Sequence, residues 1–259
     1  MAFLTCQFSR GEILLKPLIL YFTADYPSTE ILKSFLEAVD PDVVKYVEIG
    51  IPESNPLYDG PTIKATHSLA LKNYKPNHLA EYTGILGRKG IPAFALSYYE
   101  KFNKLGSGYA TFLKDAGFSG VIIPDLLTDY SEESDRIIPE IEEIFSFIPF
   151  FNPATPDGLI NAVSSLTGSW IYYGLQPSTG IDIPFDLEEV SRRILDLLPG
   201  REINFGFGIR TTGQIGEILS LGSSGVAIGS LLVQYLNDKD LEGFRKFQES
   251  VKEVCASAE

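Results

Sequence analysis

The sequence has few cysteines and histidines and no excess of positive charge. Two Cys and two His occur among 259 residues, and 21 Lys and Arg against 34 Asp and Glu give a formal net charge of -13. An acidic protein repels nucleic acid and anionic membrane surfaces, so neither is an expected partner. The single pair Cys6 and Cys255 is no disulfide framework, which favours a reducing cytoplasm.

Sequence signatures of several other protein classes are also missing. No apolar run is long enough to span a membrane, and the first residues carry no signal-peptide pattern. His67 and His78 lie in helical patterns away from any Cys or carboxylate pattern, so we expect no metal site and interpret both as surface or packing residues. There is no Gly-x-Ser-x-Gly elbow and no Walker loop.

The sequence does contain an alternation of short apolar runs with longer amphipathic ones. The apolar runs predict strands over 18–23, 44–50, 92–97, 120–125, 145–151, 170–174, 202–208 and 225–229. The amphipathic runs predict helices over 28–39, 62–73, 77–89, 108–117, 131–145, 156–166, 186–198, 211–222 and 241–254. Pro139 indicates a kink or a late start in the fifth of these helices.

This alternation predicts an α/β fold. Most strands are apolar on both faces, which is typical of parallel strands buried beneath helices. Eight of them match a (β/α)₈ TIM barrel, with residues 1–259 in a single domain. A doubly wound open sheet is the alternative, but it needs fewer strands and a glycine fingerprint after the first strand, where this chain reads "TADYPS".

Carboxylates at the predicted strand ends are the first candidates for chemistry, because barrel active sites lie there. Glu48 is flanked by Val47 and Ile49, so poor solvation should raise its pKa and suit it to acid–base work. A structural Glu paired with Lys or Tyr would fit equally well. By position alone, Asp59 would cap the following helix, and Asp125 would be a turn residue.

Two glycine-bearing stretches follow the last two predicted strands. Gly208 precedes one helix, and Gly229 with Ser230 stands at the start of another. Backbone N–H groups at helix N-termini attract phosphate, and barrels often bind phosphate in these two loops. The alternative is a pair of tight turns with Ser230 as an ordinary helix cap.

The stretches "VEIGIPESNPLYDGPTI", "NFGFGIRTTGQI" and "GVAIGS" together resemble the tryptophan synthase α-subunit family, whose first motif is close to "ELGxPFSDPxADGPxIQ". The resemblance covers nearly the whole chain. It implies a cytoplasmic (β/α)₈ lyase of L-tryptophan biosynthesis that cleaves indole-3-glycerol phosphate to indole and glyceraldehyde 3-phosphate. It also implies no cofactor in this chain and a β-subunit partner that carries pyridoxal phosphate and receives the indole.

The resemblance assigns roles to particular positions. Glu48 matches the catalytic glutamate, and Asp59 matches the aspartate that holds the indole N–H. Thr179 matches the threonine of the mobile loop after strand six. The phosphate-binding backbone corresponds to Gly180, Gly208, Gly229 and Ser230, and the indole pocket to Leu96, Tyr98, Asp125, Tyr172 and Phe207.

Among the places where the chain departs from the family pattern are two internal segments. "LQPSTG" at 175–180 stands where the family usually has "SRxGVTG", and "PESNP" at 52–56 replaces "PFSDP" in a segment that faces the β subunit. These departures leave open a regulatory subunit with little turnover of its own. Another phosphate-binding isomerase or aldolase is a third alternative, although Lys45 lies at the wrong end of its strand for Schiff-base chemistry.

Overall fold

The computed structural model describes residues 16–175, 187–206 and 208–257. Three predicted site residues, Thr179, Gly180 and Phe207, lie outside the described residues, and so does Cys6. Among the residues that are described, no helix is both long and apolar enough to cross a membrane.

The described strands form one parallel sheet. Their order across the sheet is β5-β4-β3-β2-β1-β9-β8-β7-β6. Their bounds are β1 Leu18–Thr23, β2 Val44–Gly50, β3 Ala93–Leu96, β4 Gly120–Ile122, β5 Ser146–Ile148, β6 Phe150–Phe151, β7 Ile171–Gly174, β8 Ile203–Gly206 and β9 Gly225–Ile228.

The two edges of this sheet belong to one continuous segment. β5 pairs with β4 and β6 pairs with β7, and only Pro149 separates β5 from β6. Pro149 has no N–H to donate, which interrupts the predicted strand over 145–151. Its carbonyl accepts the N–H of Tyr172 at 3.0 Å, so the hydrogen-bonded ladder continues past the break. The sheet therefore closes into a (β/α)₈ barrel, which confirms the predicted fold; the open sheet is wrong.

Helices follow the strands and pack around the barrel. Among the described residues they are α1 Thr29–Glu37, α2 Pro61–Ala70, α3 Leu79–Arg88, α4 Tyr99–Leu105, α5 Ser107–Asp115, α6 Leu126–Asp129, α7 Ser134–Glu142, α8 Asp157–Leu166, α9 Leu187–Leu197, α10 Thr212–Ser220, α11 Ser230–Asp238 and α12 Leu241–Ser257. Short 3₁₀ turns at Pro76–His78 and Ser131–Glu133 precede α3 and α7.

Most helix predictions are confirmed with bounds shifted by a few residues. α7 starts late, at Ser134, and runs through Pro139, so the predicted late start is confirmed. The short helices α4 and α6 were not predicted. α1 begins at the predicted cap, where the Ser28 hydroxyl accepts the N–H of Ile31 at 3.3 Å.

The strand register sets which side chains meet inside the barrel. Tyr21 of β1 and Phe94 of β3 are the direct neighbours of Glu48 on β2. At the opposite ends of the strands, Tyr46 stacks on Trp170 with ring centroids 5.3 Å apart. Aromatic packing thus closes the N-terminal end of the barrel, and the carboxyl ends of the strands carry the polar residues.

β4 approaches β5 so closely that we expect the barrel to require glycine at position 120. A Cβ built on Gly120 would lie 2.3 Å from the carbonyl oxygen of Ser146, a backbone atom of the neighbouring strand. Because this neighbour is backbone, Gly120→Ala should cost about 1–3 kcal/mol or more in the free energy of unfolding, measured by urea denaturation.

Gly84→Ala is the matched control. Gly84 is an exposed residue of α3, and a Cβ there meets nothing within 4 Å. We expect this variant to be unchanged or to gain about 0.5–1 kcal/mol, because Ala restricts the unfolded chain. Equal stability of the two variants would contradict the described β4–β5 contact.

Candidate functional site

A pocket opens at the carboxyl ends of the strands. It contains seven of the predicted site residues together with neighbours that the sequence did not indicate. Its lining consists of Tyr21, Glu48, Asp59, Ile63, Leu96, Tyr172, Gly208, Ile209, Arg210, Ala227, Ile228, Gly229 and Ser230. The predicted acid–base residues and the predicted phosphate loops therefore share one cavity.

Glu48 is a fully buried carboxylate near the end of β2. Neither of its oxygens has a hydrogen-bond partner among the described residues. Burial and the nearby charge of Asp59 raise the pKa of Glu48 to about 8. The alternative of a structural Glu paired with Lys or Tyr is therefore not supported, and the raised pKa expected from its apolar flanks is present.

Asp59 lies on the loop between β2 and α2, and it is not a helix cap. α2 begins at Pro61 with Gly60 as N-cap and has no side-chain cap. Asp59 Oδ2 instead accepts the hydroxyl of Tyr98 at 3.0 Å. Burial raises the pKa of Asp59 to about 7, although the Tyr98 hydrogen bond and the charge of Lys64 both lower it. The capping interpretation favoured by position alone is wrong.

Two phenol rings form walls of the pocket because glycines lie opposite them. A Cβ on Gly50 would lie 2.1 Å from Tyr21 Oη, and a Cβ on Gly206 would lie 2.4 Å from Tyr172 Oη. Any larger residue at these strand ends would therefore displace a ring from the pocket. Sequence reasoning did not include Tyr21; the glycine that ends β2 was the available signal.

Part of the pocket lining consists of residues that the sequence predicts for phosphate binding. Gly229 is the N-cap of α11, whose N-terminus has no side-chain cap, and Ser230 is its first helical residue. Ser230 is thus not an ordinary capping residue. Gly208 adopts a φ of 77°, a conformation that favours glycine. Arg210 also lines the pocket and was not predicted.

Two predicted pocket residues lie beside the cavity. Tyr98 donates its hydroxyl to Asp59 and accepts the N–H of Tyr58 at 3.2 Å, so it braces the loop that carries Asp59. Asp125 accepts the N–H of Tyr99 at 2.9 Å and so holds the start of α4. Burial raises the pKa of Asp125 to about 6. Its role in substrate binding stays a prediction.

Both histidines lie near carboxylates in the fold, which their positions in the sequence did not indicate. His67 is fully buried, with Nε2 2.9 Å from Tyr21 Oη and 3.6 Å from Asp59 Oδ2. His78 Nδ1 lies 2.8 Å from Asp25 Oδ1. Among the described residues, no group of three or more His, Cys, Asp and Glu is arranged to hold a metal ion.

The burial of Glu48 predicts a pH-dependent stability. Its carboxyl has an ordinary pKa of 4.5 and a folded pKa of about 8. Because the folded value is the higher one, the unfolded chain ionises first, and the free energy of unfolding falls as the pH rises between these values. Glu48→Gln removes this loss, and we expect it to gain roughly 2–4 kcal/mol over the wild type between about pH 5 and about pH 8.

The free energy of unfolding is measured by urea denaturation across this pH range. Glu249→Gln, which removes an exposed carboxylate of α12, is the control and should follow the wild-type curve. Parallel curves for wild type and Glu48→Gln would show that Glu48 is solvated in the folded protein.

Comparison with known proteins gives one consistent family. The family model described as "Tryptophan synthase alpha chain" matches residues 14–259. The tryptophan synthase alpha chain of Saccharolobus solfataricus is 31% identical over 220 residues, covering 85% of this chain and 88% of that protein. The corresponding chain of Sulfurisphaera tokodaii is 28% identical over 226 residues, covering 87% and 91%.

A solved structure agrees with these sequence relatives. The tryptophan synthase α2β2 complex of Pyrococcus furiosus contains a chain that superposes with a TM-score of 0.77 at 25% identity, covering 93% of this chain and 98% of that one. The family match spans nearly the whole length on both sides. The chain therefore belongs to the tryptophan synthase alpha chain family.

Proposed function

We propose that this chain is the α subunit of tryptophan synthase, a carbon–carbon lyase of tryptophan biosynthesis that cleaves indole-3-glycerol phosphate. One observation carries the proposal: two buried carboxylates with raised pKa values share a pocket with an uncapped helix N-terminus. The substrate has a matching shape, with an indole ring at one end and a phosphate at the other.

The first step in this proposal is protonation of indole C3. At neutral pH Glu48 holds a proton, because its pKa is about 8, and it can deliver that proton to the ring carbon. Positive charge then develops at the indole nitrogen. Asp59 in its ionised form accepts the ring N–H and stabilises this charge within the pocket that both carboxylates line.

The second step breaks the carbon–carbon bond. Glu48, now ionised, takes the proton from the glycerol hydroxyl next to the ring, and that oxygen becomes the aldehyde of glyceraldehyde 3-phosphate. The bonding electrons return to the ring, and indole leaves with the proton it received at C3. One carboxyl group thus donates and accepts a proton in turn, and both products leave uncharged at the reacting centre.

The phosphate would be held at the other end of the pocket. The N–H groups of the first turn of α11 and of the Gly208 loop would donate hydrogen bonds to the phosphate oxygens, and Arg210 would supply a positive charge. An acidic chain can bind a dianion in this way, because the attraction is local to the helix end. Gly180, outside the described residues, stays a predicted member of this site.

We also propose the β subunit of tryptophan synthase as the partner. The Pyrococcus furiosus relative was solved as an α2β2 complex, which supports the assignment. In this proposal the pyridoxal phosphate belongs to the β subunit, and this chain has no cofactor of its own. A single barrel domain over 1–259 and a cytoplasmic location likewise stay predictions.

The alternatives have less support. Lys45 Nζ lies 2.8 Å from Glu202 Oε1 near the start of β2, far from the strand ends that carry the pocket, so it is not a Schiff-base lysine. A regulatory subunit without turnover would not need a buried, unpaired glutamate beside a second carboxylate. Segment 175–180, whose departure from the family pattern suggested a regulatory subunit, lies outside the described residues except for Leu175.

Replacing either carboxylate should abolish most of the cleavage. We expect Glu48→Gln to lose about 10²- to 10⁴-fold in kcat and Asp59→Asn about 10²- to 10³-fold, because each removes a proton donor or a charge needed in the transition state. The measurement is indole release from indole-3-glycerol phosphate, with and without an added β subunit.

The same assay separates the alternatives. Glu249→Gln is the matched control and should retain wild-type activity. Wild-type kcat in Glu48→Gln would refute the assigned roles. Activation of a β subunit by a chain that releases no indole would favour the regulatory alternative.

We expect substitutions at the proposed phosphate site to weaken substrate binding without slowing the chemical step. Arg210→Gln and Gly229→Ala should each raise KM for indole-3-glycerol phosphate several-fold with little change in kcat, because they weaken binding equally in the ground and transition states. A Cβ on Gly229 makes ordinary contacts of 3.5 Å with Tyr21, so the variant should fold. Arg245→Gln on α12 is the control, and an unchanged KM in both pocket variants would exclude this phosphate site.

A further inference from the structure

A buried histidine lies behind the two carboxylates, and the mechanism above does not use it. His67 belongs to the buried face of α2, together with Ile63, Thr66 and Ala70. It is fully buried, yet both ring nitrogens point at polar atoms, Nδ1 at the N–H of Glu53 and Nε2 at Tyr21 Oη. Both nitrogens of this buried ring therefore have hydrogen-bond partners, as a buried polar group requires.

The main chain determines which nitrogen of His67 carries the proton. The N–H of Glu53 can only donate, and it lies 3.0 Å from Nδ1, so Nδ1 must be the acceptor. In a neutral ring the proton is then on Nε2. Burial, followed by the charge of Lys101, lowers the pKa of His67 to about 4, although Glu53 opposes the shift. His67 is therefore a neutral Nε2–H donor near pH 7.

That donor is aimed at two groups of the pocket. Tyr21 Oη is 2.9 Å from Nε2, within hydrogen-bond distance, and Asp59 Oδ2 is 3.6 Å away. Catalytic hydrogen bonds are often long in the free enzyme and tighten when substrate binds. The absence of a Cβ at Gly50 leaves the space that the Tyr21 hydroxyl occupies, so the strand end accommodates this arrangement.

We propose that His67 is a positioning residue, whose Nε2–H holds the Tyr21 hydroxyl and the Asp59 carboxylate in place against the indole ring while the Glu53 main chain fixes the ring's tautomer. The inference rests on the proposed function, because it assigns His67 a task in the same reaction. Tyr21 from β1, Asp59 and Glu53 from the loop, and Lys101 from α4 are the titratable groups that face it.

The proposal also gives segment 52–56 a task. Glu53 ties this segment to His67 by its N–H, while Lys101 Nζ donates to the carbonyl of Pro52 at 2.9 Å and lies 3.5 Å from Glu53 Oε2. A displacement of the segment would remove the acceptor constraint on Nδ1 and release the ring. The position of Asp59 is thereby coupled to an earlier segment of the same loop.

Two substitutions of His67 distinguish the role of its Nδ1 acceptor from the role of its Nε2–H donor. Asparagine can place its Oδ1 where Nδ1 accepts from Glu53, but it has no atom at Nε2. Glutamine can place an N–H donor near Nε2 but leaves the Glu53 N–H without its acceptor. We expect His67→Asn to lose about tenfold in kcat and to shift the acidic limb of the kcat/KM profile upward by roughly half a pH unit, since ionised Asp59 loses a donor.

His67→Gln should retain kcat within about threefold and keep the wild-type pH profile, because the donor to Tyr21 and Asp59 is preserved. Urea denaturation of both variants measures their stability separately. Equal losses of activity in the two variants, or a wild-type profile in His67→Asn, would overturn the proposal and leave His67 as a packing residue.

Nitrogen-15 NMR of the imidazoles tests the geometry without any turnover. His67 should be a neutral Nε2–H tautomer between about pH 6 and pH 9, with His78 as the internal comparison and His67→Asn to assign the signals. An Nδ1–H tautomer, or titration near pH 6.5, would overturn the positioning role. A wild-type chain that shows the expected tautomer but releases no indole with a β subunit would instead refute the proposed function.

Discussion

The burial of one unpaired carboxylate, that of Glu48, is the constraint on which the rest of the site depends. An ionised carboxylate without hydrogen-bond partners is costly when it is fully buried, and burial raises the pKa of Glu48 to about 8, which favours the protonated form at neutral pH. Asp59 adds to this effect, because a second negative charge nearby further disfavours ionisation of Glu48. In the proposed function, the free energy lost by placing Glu48 there is what would make it a proton donor near pH 7.

The closed barrel explains how residues from distant parts of the chain share this cavity. β1 and β2 are direct neighbours, and β9 pairs with β1 on the other side, so the carboxylates and the start of α11 lie at adjacent strand ends. Closure depends on the strand segment divided at Pro149, whose two halves complete the two edges of the sheet. In the proposed function, these groups at neighbouring strand ends would contact the two ends of one substrate.

Much of this could be predicted from the sequence, for identifiable physical reasons. β1 and β2 were predicted to the residue, because an apolar run buried on both faces ends sharply at turn residues. Glu48 was found because a charge inside such a run is costly. The division at Pro149 and the short helix α4 were missed, since neither changes the hydrophobic period. Asp59 was read by position alone as a cap, because a loop carboxylate before a proline-led helix usually is one.

His67 shows the limit of such reasoning. Its spacing from Ile63 places it on the buried stripe of α2, so burial could have been predicted. Its hydrogen-bond partner Tyr21 could not have been predicted, because Tyr21 lies 46 residues earlier in the chain and meets His67 only when the barrel closes. Arg210 likewise follows β8 in the sequence without any signal that it lines the pocket.

The most direct measurement is the titration of Glu48 itself. Carbon-13 NMR of side-chain carboxyls in labelled protein, with Glu48→Gln to assign the signal, reports the pKa of this one group. Titration near pH 8 that moves lower in Asp59→Asn is expected, because the neighbouring charge is then removed. Titration near the ordinary value of 4.5 would mean that Glu48 is ionised at neutral pH, and it would contradict its role as the proton donor.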